Sequence, residues 1–434
     1  MRRILERVAA CRGVDLEVWE SALRVAVLAA GAEVLTSLIQ GIGSGKGCGE
    51  VRCLCGTRME SQGLKAKSLL TILGEVRYSR TLFQCPACQA TRYPGDEELD
   101  VVGTGRSPAL RRLMGRAGSK TTFKEGRDDL RIYAGIKVSA KDVERVAERM
   151  GVEIEAWSKR EQEAVFQQDP PVCGEKTIPV LYASYDGTGI PMTQSELVGR
   201  RGKQVDGSAR TREAKLGCVF TQTTTDEKGF AVRDPDSTSF VAAIESSDEF
   251  GRRIYAEAVR RGLYDAHRVV VVGDAAEWIR TIADEHFPEA IQIVDLYHAR
   301  EHVSALCKRL FGLSEKQIVQ HRIRWWTYMD EDKIERIIQQ AREKLPSADG
   351  DREMAQREIT FLDKNKERMR YKTFRSMGLF VGSGVAEAGC KTLIGHRLKQ
   401  SGMEWSLRGA NAILSLRSAV QSGRFEEYWE SRIS

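Results

Sequence analysis

The sequence predicts a mixed α/β protein in which an α/β core follows a helical, cysteine-bearing N-terminal region, and three observations carry that prediction. Val269-Val270-Val271-Val272 and Ile291-Gln292-Ile293-Val294 are short apolar runs of the kind that form buried strands, the first apolar on both faces as parallel strands tend to be. Gln168-Asp169-Pro170-Pro171 punctuates the chain where helical patterning gives way to strand–helix alternation. Ahead of that break, five cysteines between residues 48 and 88 sit beside segments with clear helix-start signals.

Taken in order, residues 1 to about 42 read as helical, and the apolar window 22–42 is placed as a core helix because Arg24 and Glu33 interrupt it as a membrane span. The string Gly43-Ser44-Gly45-Lys46-Gly47 reads as a linker. It lacks a phosphate loop's first glycine (Gln40 stands there), and Gly47 replaces the Ser or Thr that would hold magnesium. A hairpin is predicted with strands near 67–72 and 76–83 about Gly74. Ser107-Pro108 gives an N-cap followed by proline at the first helical position, and Thr122 with Glu125 and Ser139 with Asp142 have capping-box spacing. From Ser139 the apolar Val143, Val146, Ala147 and Met150 share a helical face, and Lys141, Arg145 and Arg149 point elsewhere. Strands are predicted at 180–185 and 215–221, a helix at 248–261, and a charged helical stretch from 296 to about 375 with Trp325-Trp326 as its main aromatic mass.

At 434 residues the chain holds about two to four domains, at roughly 150 residues each. A net charge of +6 does not by itself announce nucleic acid, so local clustering matters more. Between residues 199 and 216 six cations (Arg200, Arg201, Lys203, Arg210, Arg212, Lys215) face two anions; between 388 and 424 six (among them Lys391, Arg397 and Lys399) face one. Such runs suit a polyphosphate partner or a solvated face. Arg2, Arg3, Glu6 and Arg7 break the first apolar stretch, which argues against a secretory leader and for a cytoplasmic protein with no membrane partner. Its cysteines are then reduced thiols or metal ligands.

Cys53 with Cys55 and Cys85 with Cys88 make two tight pairs on either side of the predicted hairpin. Thiolates on two neighbouring turns close a tetrahedral site for one structural Zn2+, the alternative being buried free thiols. The first pair is one residue shorter than the common spacing, which leaves Cys48 as a substitute ligand. Cys11, Cys173, Cys218, Cys307 and Cys390 are isolated and read as small core residues.

Asp186 ends an apolar strand and opens Asp-Gly-Thr-Gly; Asp274 ends another in Val-Val-Gly-Asp-Ala-Ala-Glu-Trp. Alone, either is a turn residue. Together, a carboxylate at the end of each of two core strands is what a two-metal phosphoryl-transfer site needs, since hard magnesium takes oxygen ligands. Glu387 stands out as a third acid by its setting after Gly378, Gly382 and Gly384, at the start of a helix where Ala386, Cys390, Ile394 and Leu398 recur every four residues. Lys391 lies one turn on, placed to face phosphate or to pair with Glu387 as a surface contact.

Longer motifs now enter. The run from Tyr185 through Asp-Gly-Thr-Gly-Ile-Pro to Met192, the stretch from Gly202 to Phe220 with Thr211-Arg212-Glu213-Ala214-Lys215-Leu216-Gly217, and Asp295-Leu296-Tyr297-His298-Ala299-Arg300-Glu301-His302 resemble the ISKra family of bacterial insertion-sequence transposases. The resemblance runs from about Cys53 to Arg417. It implies a ribonuclease-H-like catalytic domain with an Asp-Asp-Glu triad of Asp186, Asp274 and Glu387 holding two Mg2+ (or Mn2+), and a zinc module at Cys53, Cys55, Cys85 and Cys88. Asp295 and His298 match an Asp-x-x-His signature of related transposases, with His298 either supporting the site or filling the core.

The organisation then expected is an N-terminal helical region at 1–47, a zinc module at 48–104, a helix-turn-helix-like DNA-binding region at 105–167, a catalytic core at 177–299 and 381–434, and a helical insertion at 300–380. The function expected is binding of transposon ends, hydrolysis that frees a 3′-hydroxyl, and transfer of that strand to target DNA, by a homo-oligomer on paired ends at the nucleoid. Lys141, Arg145 and Arg149, the two basic runs, and Trp405 (on a splayed base, or in the core) are the expected DNA contacts. The alternatives are a ribonuclease-H-fold nuclease that cuts without joining and a transposase-derived DNA-binding regulator.

Overall fold

The computed structural model describes residues 15–43, 50–168, 177–202, 204, 207–312 and 315–432. Two compact units divide the chain, residues 1–147 and 148–434, the boundary falling inside one long helix. The glycine string after Gly43, Cys11, Cys48, Cys173, Lys203 and the prolines of the predicted boundary lie outside the described residues.

In the first unit α1 (Leu16–Gly43) packs Ala32 and Ile39 against Leu69, Val76 and Tyr78. It is not the core helix expected. Its most apolar window is 11% buried, and Leu23, Val27, Val34 and Leu38 stay exposed. By length and composition alone it could cross a membrane. The reason is that its apolar residues surround the helix, so one packed face leaves the others bare. The hairpin β1 (Glu60–Leu70) and β2 (Glu75–Gln84) is longer than predicted and extends past the turn by a third short strand, β3 (Thr91–Arg92). A single turn, α2 (Pro94–Glu98), offers Asp96, which takes ion pairs from Lys67 and Arg80 at 2.8 Å each.

Then come α3 (Pro108–Lys120), α4 (Phe123–Ala134) and α5 (Ala140–Gln167). Ser107 caps α3 through the Leu110 N–H, and Thr122 with Glu125 forms a complete capping box. At Ser139 only half of the box forms: Ser139 accepts from the Asp142 N–H, but the Asp142 carboxylate turns to Arg106. Leu110, Met114, Leu130, Ile136 and Val143 make the shared core.

The second unit is built on a five-stranded mixed sheet. β4 (Ile178–Pro191) pairs antiparallel with β5 (Thr211–Gln222); after a small ribbon of β6 (Thr224–Thr225) and β7 (Ala231–Val232), β8 (Ser239–Ala243) adds antiparallel to β5. β9 (Ala266–Gly273) lies parallel on the other side of β4, and β10 (Ile291–Val294) parallel beside β9, giving the order β10-β9-β4-β5-β8. α6 (Ser247–Arg260) and α7 (Glu277–His286) cover one face, where Phe250, Ile254, Ile279 and Ile282 meet Leu181, Ala183, Val219 and Val271. The C-terminal half of α5 belongs here too: a Cβ at Gly151 would fall 1.9 Å from the Ala412 carbonyl oxygen, so only glycine permits that approach. Arg253, 6% exposed, is held between Glu155 (2.6 Å) and Glu245 (2.7 Å).

Five helices follow, α8 (Leu296–Leu310), α9 (Glu315–Asp330), α10 (Ile334–Glu343), α11 (Asp349–Asn365) and α12 (Tyr371–Ser376), closed around Val303, Leu306, Trp325, Ile337 and Ile359. The chain returns through α13 (Gly384–Gly389), a π-helical turn (Cys390–Gly395) and α14 (His396–Leu398), and ends in α15 (Leu407–Gln421) and α16 (Phe425–Ser431).

Candidate active site and metal centre

The strand that carries Asp186 does not end there. β4 continues to Pro191, because Gly187 and Gly189 are not turn glycines but let the Glu213 and Thr211 side chains of β5 come close: added Cβ atoms would meet them at 2.6 and 2.7 Å. What does end at Asp186 is the parallel pairing. Tyr185 is the last residue of β4 aligned with β9, opposite Gly273, and Gly273 is in turn opposite Val294 of β10. The next residue on each strand is an aspartate: Asp186, Asp274, Asp295. With strands about 4.8 Å apart, these three acids stand in a row across the sheet end.

Each is used differently. Asp274 accepts from the Ala276 N–H at 2.9 Å and so opens the turn into α7. Asp295 is 6% exposed and caps α8 through the His298 N–H at 2.7 Å. Its other oxygen takes the Ser383 N–H (2.6 Å) and hydroxyl (3.0 Å), while the Leu296 N–H donates to the Val381 carbonyl (2.9 Å). That clamp fixes the loop from which α13 starts, and α13 carries Glu387. Asp186 is half-buried. Burial raises its carboxyl above the usual range and the negative fields of Asp274 and Glu387 raise it further, against hydrogen bonds from the Cys390 thiol and the Gly187 N–H. Asp186 thus feels the charge of both Asp274 and Glu387. Glu387 is exposed and pairs with Lys391 at 2.7 Å, the surface contact foreseen as its alternative.

The π-helical turn follows at once. Its wider coil keeps Ala386, Cys390, Ile394 and Leu398, all buried, in line at a spacing of four. Arg417, also buried, donates to the Leu393 and Thr392 carbonyls at 2.5 Å each, and burial lowers its pKa to about 10. It props this helix rather than facing phosphate. Cys390 touches Asp186, so it is more than the isolated core residue expected. Lys399 is exposed and bonds the Thr188 hydroxyl, two residues beyond Asp186.

Burial corrects other expected DNA contacts. Lys215 is 8% exposed and donates to the Glu245 carbonyl; Arg397 is fully buried beneath the Trp405 ring; Trp405, 6% exposed, donates its indole N–H to the Leu398 carbonyl. These long side chains were drawn inside because each found a backbone or aromatic partner there. Arg200, Arg201 and Arg210 remain exposed between β4 and β5, with Arg212 paired to Glu196. On α5, Lys141 pairs with Glu144, Arg149 with Glu153, and Arg145 is exposed. His298 and His302 meet Nε2 to Nε2 at 3.2 Å, His302 also bonding Glu358 and stacking on Phe361.

The cysteine cluster is a closed constellation. The sulfurs of Cys53, Cys55, Cys85 and Cys88 all lie within 4.8 Å of one another, with Cys53–Cys88 at 3.4 Å and Cys55–Cys85 at 3.5 Å. Two tight turns present them: Gly56 (φ 86°) closes the first by donating to the Cys53 carbonyl, and Gln89 (φ 60°) the second by donating to Cys85. Hydrogen bonds from Thr57 lower the Cys55 thiol, while the neighbouring sulfurs of Cys53 and Cys85 raise that of Cys88. Four sulfurs at these separations suit a metal such as zinc, whose tetrahedral shell has Zn–S near 2.3 Å. Among the described residues no set of three carboxylates is as tight.

Residues 245–431 match the model of an uncharacterised protein family, UPF0236, a span that takes in Asp274, Asp295 and Glu387 but not Asp186. None of the curated proteins matches. Among solved structures, the Drosophila P element transposase strand transfer complex is similar at 10% identity over 74% of this chain and 80% of that one, with a TM-score of 0.23.

Proposed function

We propose that this chain is a DNA transposase of insertion-sequence type whose ribonuclease-H-like core uses Asp186, Asp274 and Glu387 for phosphoryl transfer. The observation that supports the reading is that Asp186 and Asp274, 88 residues apart (274 − 186), directly follow the last aligned pair of β4 and β9, while the charges of Asp274 and of Glu387, 113 residues further on (387 − 274), both act on Asp186. A sheet of three antiparallel strands continued by two parallel ones supports a ribonuclease-H-like core, and the long motifs around Asp186 and Asp295 support a transposase within that class. Hard oxygen donors with a surplus of negative charge fit Mg2+ or Mn2+. Two such ions supply charge stabilisation to the attacking and leaving oxygens.

The chain's own residues do the rest. Asp186 and Asp274 stand rigidly on neighbouring strands, and Glu387 is delivered from α13, with Asp295 as the positioning residue that sets where that helix begins. Lys399, beside Thr188, offers a cation to a phosphate near Asp186. Water cleaves the phosphodiester at the transposon end to leave a 3′-hydroxyl, and that hydroxyl then displaces a 3′-oxygen of target DNA. Cys53, Cys55, Cys85 and Cys88 hold one Zn2+ that staples the N-terminal module, with α5, through Lys141, Arg145 and Arg149, as the reader of terminal duplex DNA and a homo-oligomer on paired ends as the working form.

The test is an assay with Mg2+ on duplexes carrying the element's ends, intact or precut to a 3′-hydroxyl. Cleavage and joining that both vanish in Asp274→Ala, with end binding retained, support the reading. Cleavage without joining makes the protein a nuclease, binding without either makes it a regulator, and activity surviving in Asp274→Ala removes the triad.

A further inference from the structure

Along the exposed face of α8 runs an open cavity of about 780 Å3, completed by Trp326 of α9. Its walls combine Tyr297 and Trp326 with Arg300, Lys308 and Arg309, and Ser304 lies between them. Tyr297 is 69% exposed, so its ring face is open to a ligand. Trp326 is half-buried, with the Arg300 and Arg322 guanidinium groups each 5.2 Å from its ring centre. Glu301 is the acid among the lining residues, against three cations. Arg300 and Arg309 are steadied by Asp330 (2.6 Å) and Asp351 (3.0 Å), while Lys308 is exposed.

The groove begins beside Asp295 and the loop that leads to Glu387. Tyr297 is two residues past Asp295, and a Cβ added at Gly382 would lie 3.6 Å from the Tyr297 ring and 3.5 Å from the Asp295 carboxylate. Gly382 sits in the clamped loop that leads to Glu387. A strand leaving the carboxylates along α8 therefore meets Tyr297 first, then the cations and Trp326.

Aromatic faces flanked by cations recognise bases and phosphates together, and a base can reach such a face only when it is unpaired. We propose that this groove binds an unpaired stretch of the DNA strand beside the scissile phosphate, stacking bases on Tyr297 and Trp326 and taking phosphates on Lys308 and Arg309. The proposal rests on reading the chain as an enzyme of DNA strands, and it assigns the partner of a surface outside the carboxylate site.

The experiment measures anisotropy of a labelled oligothymidylate of about 15 nucleotides, and of a duplex of equal length, with the full chain and no added divalent cation. Tyr297→Ala, a change at an exposed ring with little stake in folding, is expected to weaken single-strand binding about tenfold and duplex binding by less than about twofold. Lys308→Glu should weaken single-strand binding more at low salt than at high. Photocrosslinking with 5-iodouracil, mapped by mass spectrometry, should label Tyr297 or Trp326 in the unmutated chain. Unchanged single-strand affinity in Tyr297→Ala, or crosslinks that avoid both aromatics, overturns the proposal. If those results come from a chain that still cuts and joins DNA, the groove alone is wrong; a chain that neither binds nor cuts DNA overturns the enzyme reading as well.

Discussion

The two candidate metal sites are built in opposite ways. The cysteine cluster is made of two local turns, each bringing its own pair of thiols, on either side of a hairpin whose strands are hydrogen-bonded neighbours. It closes as a set, with all four sulfurs within 4.8 Å. The three carboxylates come from two strand ends and a helix, and among the described residues they do not close into a set as tight as the sulfurs. Thiolates that have a metal to surround can be packed together. Carboxylates with no cation between them repel one another, and one of these, Glu387, pairs with a lysine.

That contrast can be broken or sharpened by mutation. The largest effect on activity is expected at Glu387: Glu387→Gln should lower DNA cleavage on the order of a thousandfold, the several kcal/mol a metal-bound carboxylate is asked to supply, and Lys391→Ala should leave most activity. Equal losses in steady-state rates would make the pair itself the functional unit. Cys85→Ser should abolish metal retention and the cooperative melting of the N-terminal unit, since structural zinc binding is worth roughly 10–16 kcal/mol in small modules. Metal content by mass spectrometry and calorimetry check this; full zinc stoichiometry would leave the cluster as free thiols.

Arg417→Met should destabilise the second unit by roughly 3 kcal/mol, because carbonyls of the π-helical turn lose a buried charged donor. Denaturant melts report it. The smallest effect concerns Asp186. Folding raises its pKa, so the penalty is absent below its unfolded value near 3.9 and fully present above its folded value; stability of the metal-free chain falls as pH climbs between them. Asp186→Asn should therefore melt slightly higher than the unmutated chain at neutral pH without divalent cations, and lose the stabilisation that Mg2+ gives the latter. A lower melting temperature at neutral pH would mean that the carboxylate is held by partners stronger than the repulsion.

Much of this was legible in the residues. The valine run of β9, the four residues of β10, the caps at Ser107 and Thr122 and both cysteine pairs were placed by local patterning, which depends on neighbours within a few positions. Asp-Gly-Thr-Gly misled because glycine marks both a turn and a close approach, and only the facing Glu213 and Thr211 distinguish the two. The α1 helix misled because hydropathy measures apolar content and not whether a partner surface exists to cover it. Lys215 and Arg397 were read as surface cations from charge, but their partners are the Glu245 carbonyl and the Trp405 ring; Trp405 takes the core alternative, its indole N–H on the Leu398 carbonyl.

What the sequence by itself determined is therefore the set of elements and the chemistry available to each: thiol pairs on turns, acids after apolar strands, a charged helical insertion. Only the tertiary structure decided how the acids are arranged along the sheet end. The alignment of Tyr185, Gly273 and Val294 puts three aspartates at one level, and the clamp from Asp295 to Ser383 sets where the Glu387 helix starts. Strand register and a hydrogen bond spanning 88 residues are properties of the assembled sheet, and no local spacing encodes them.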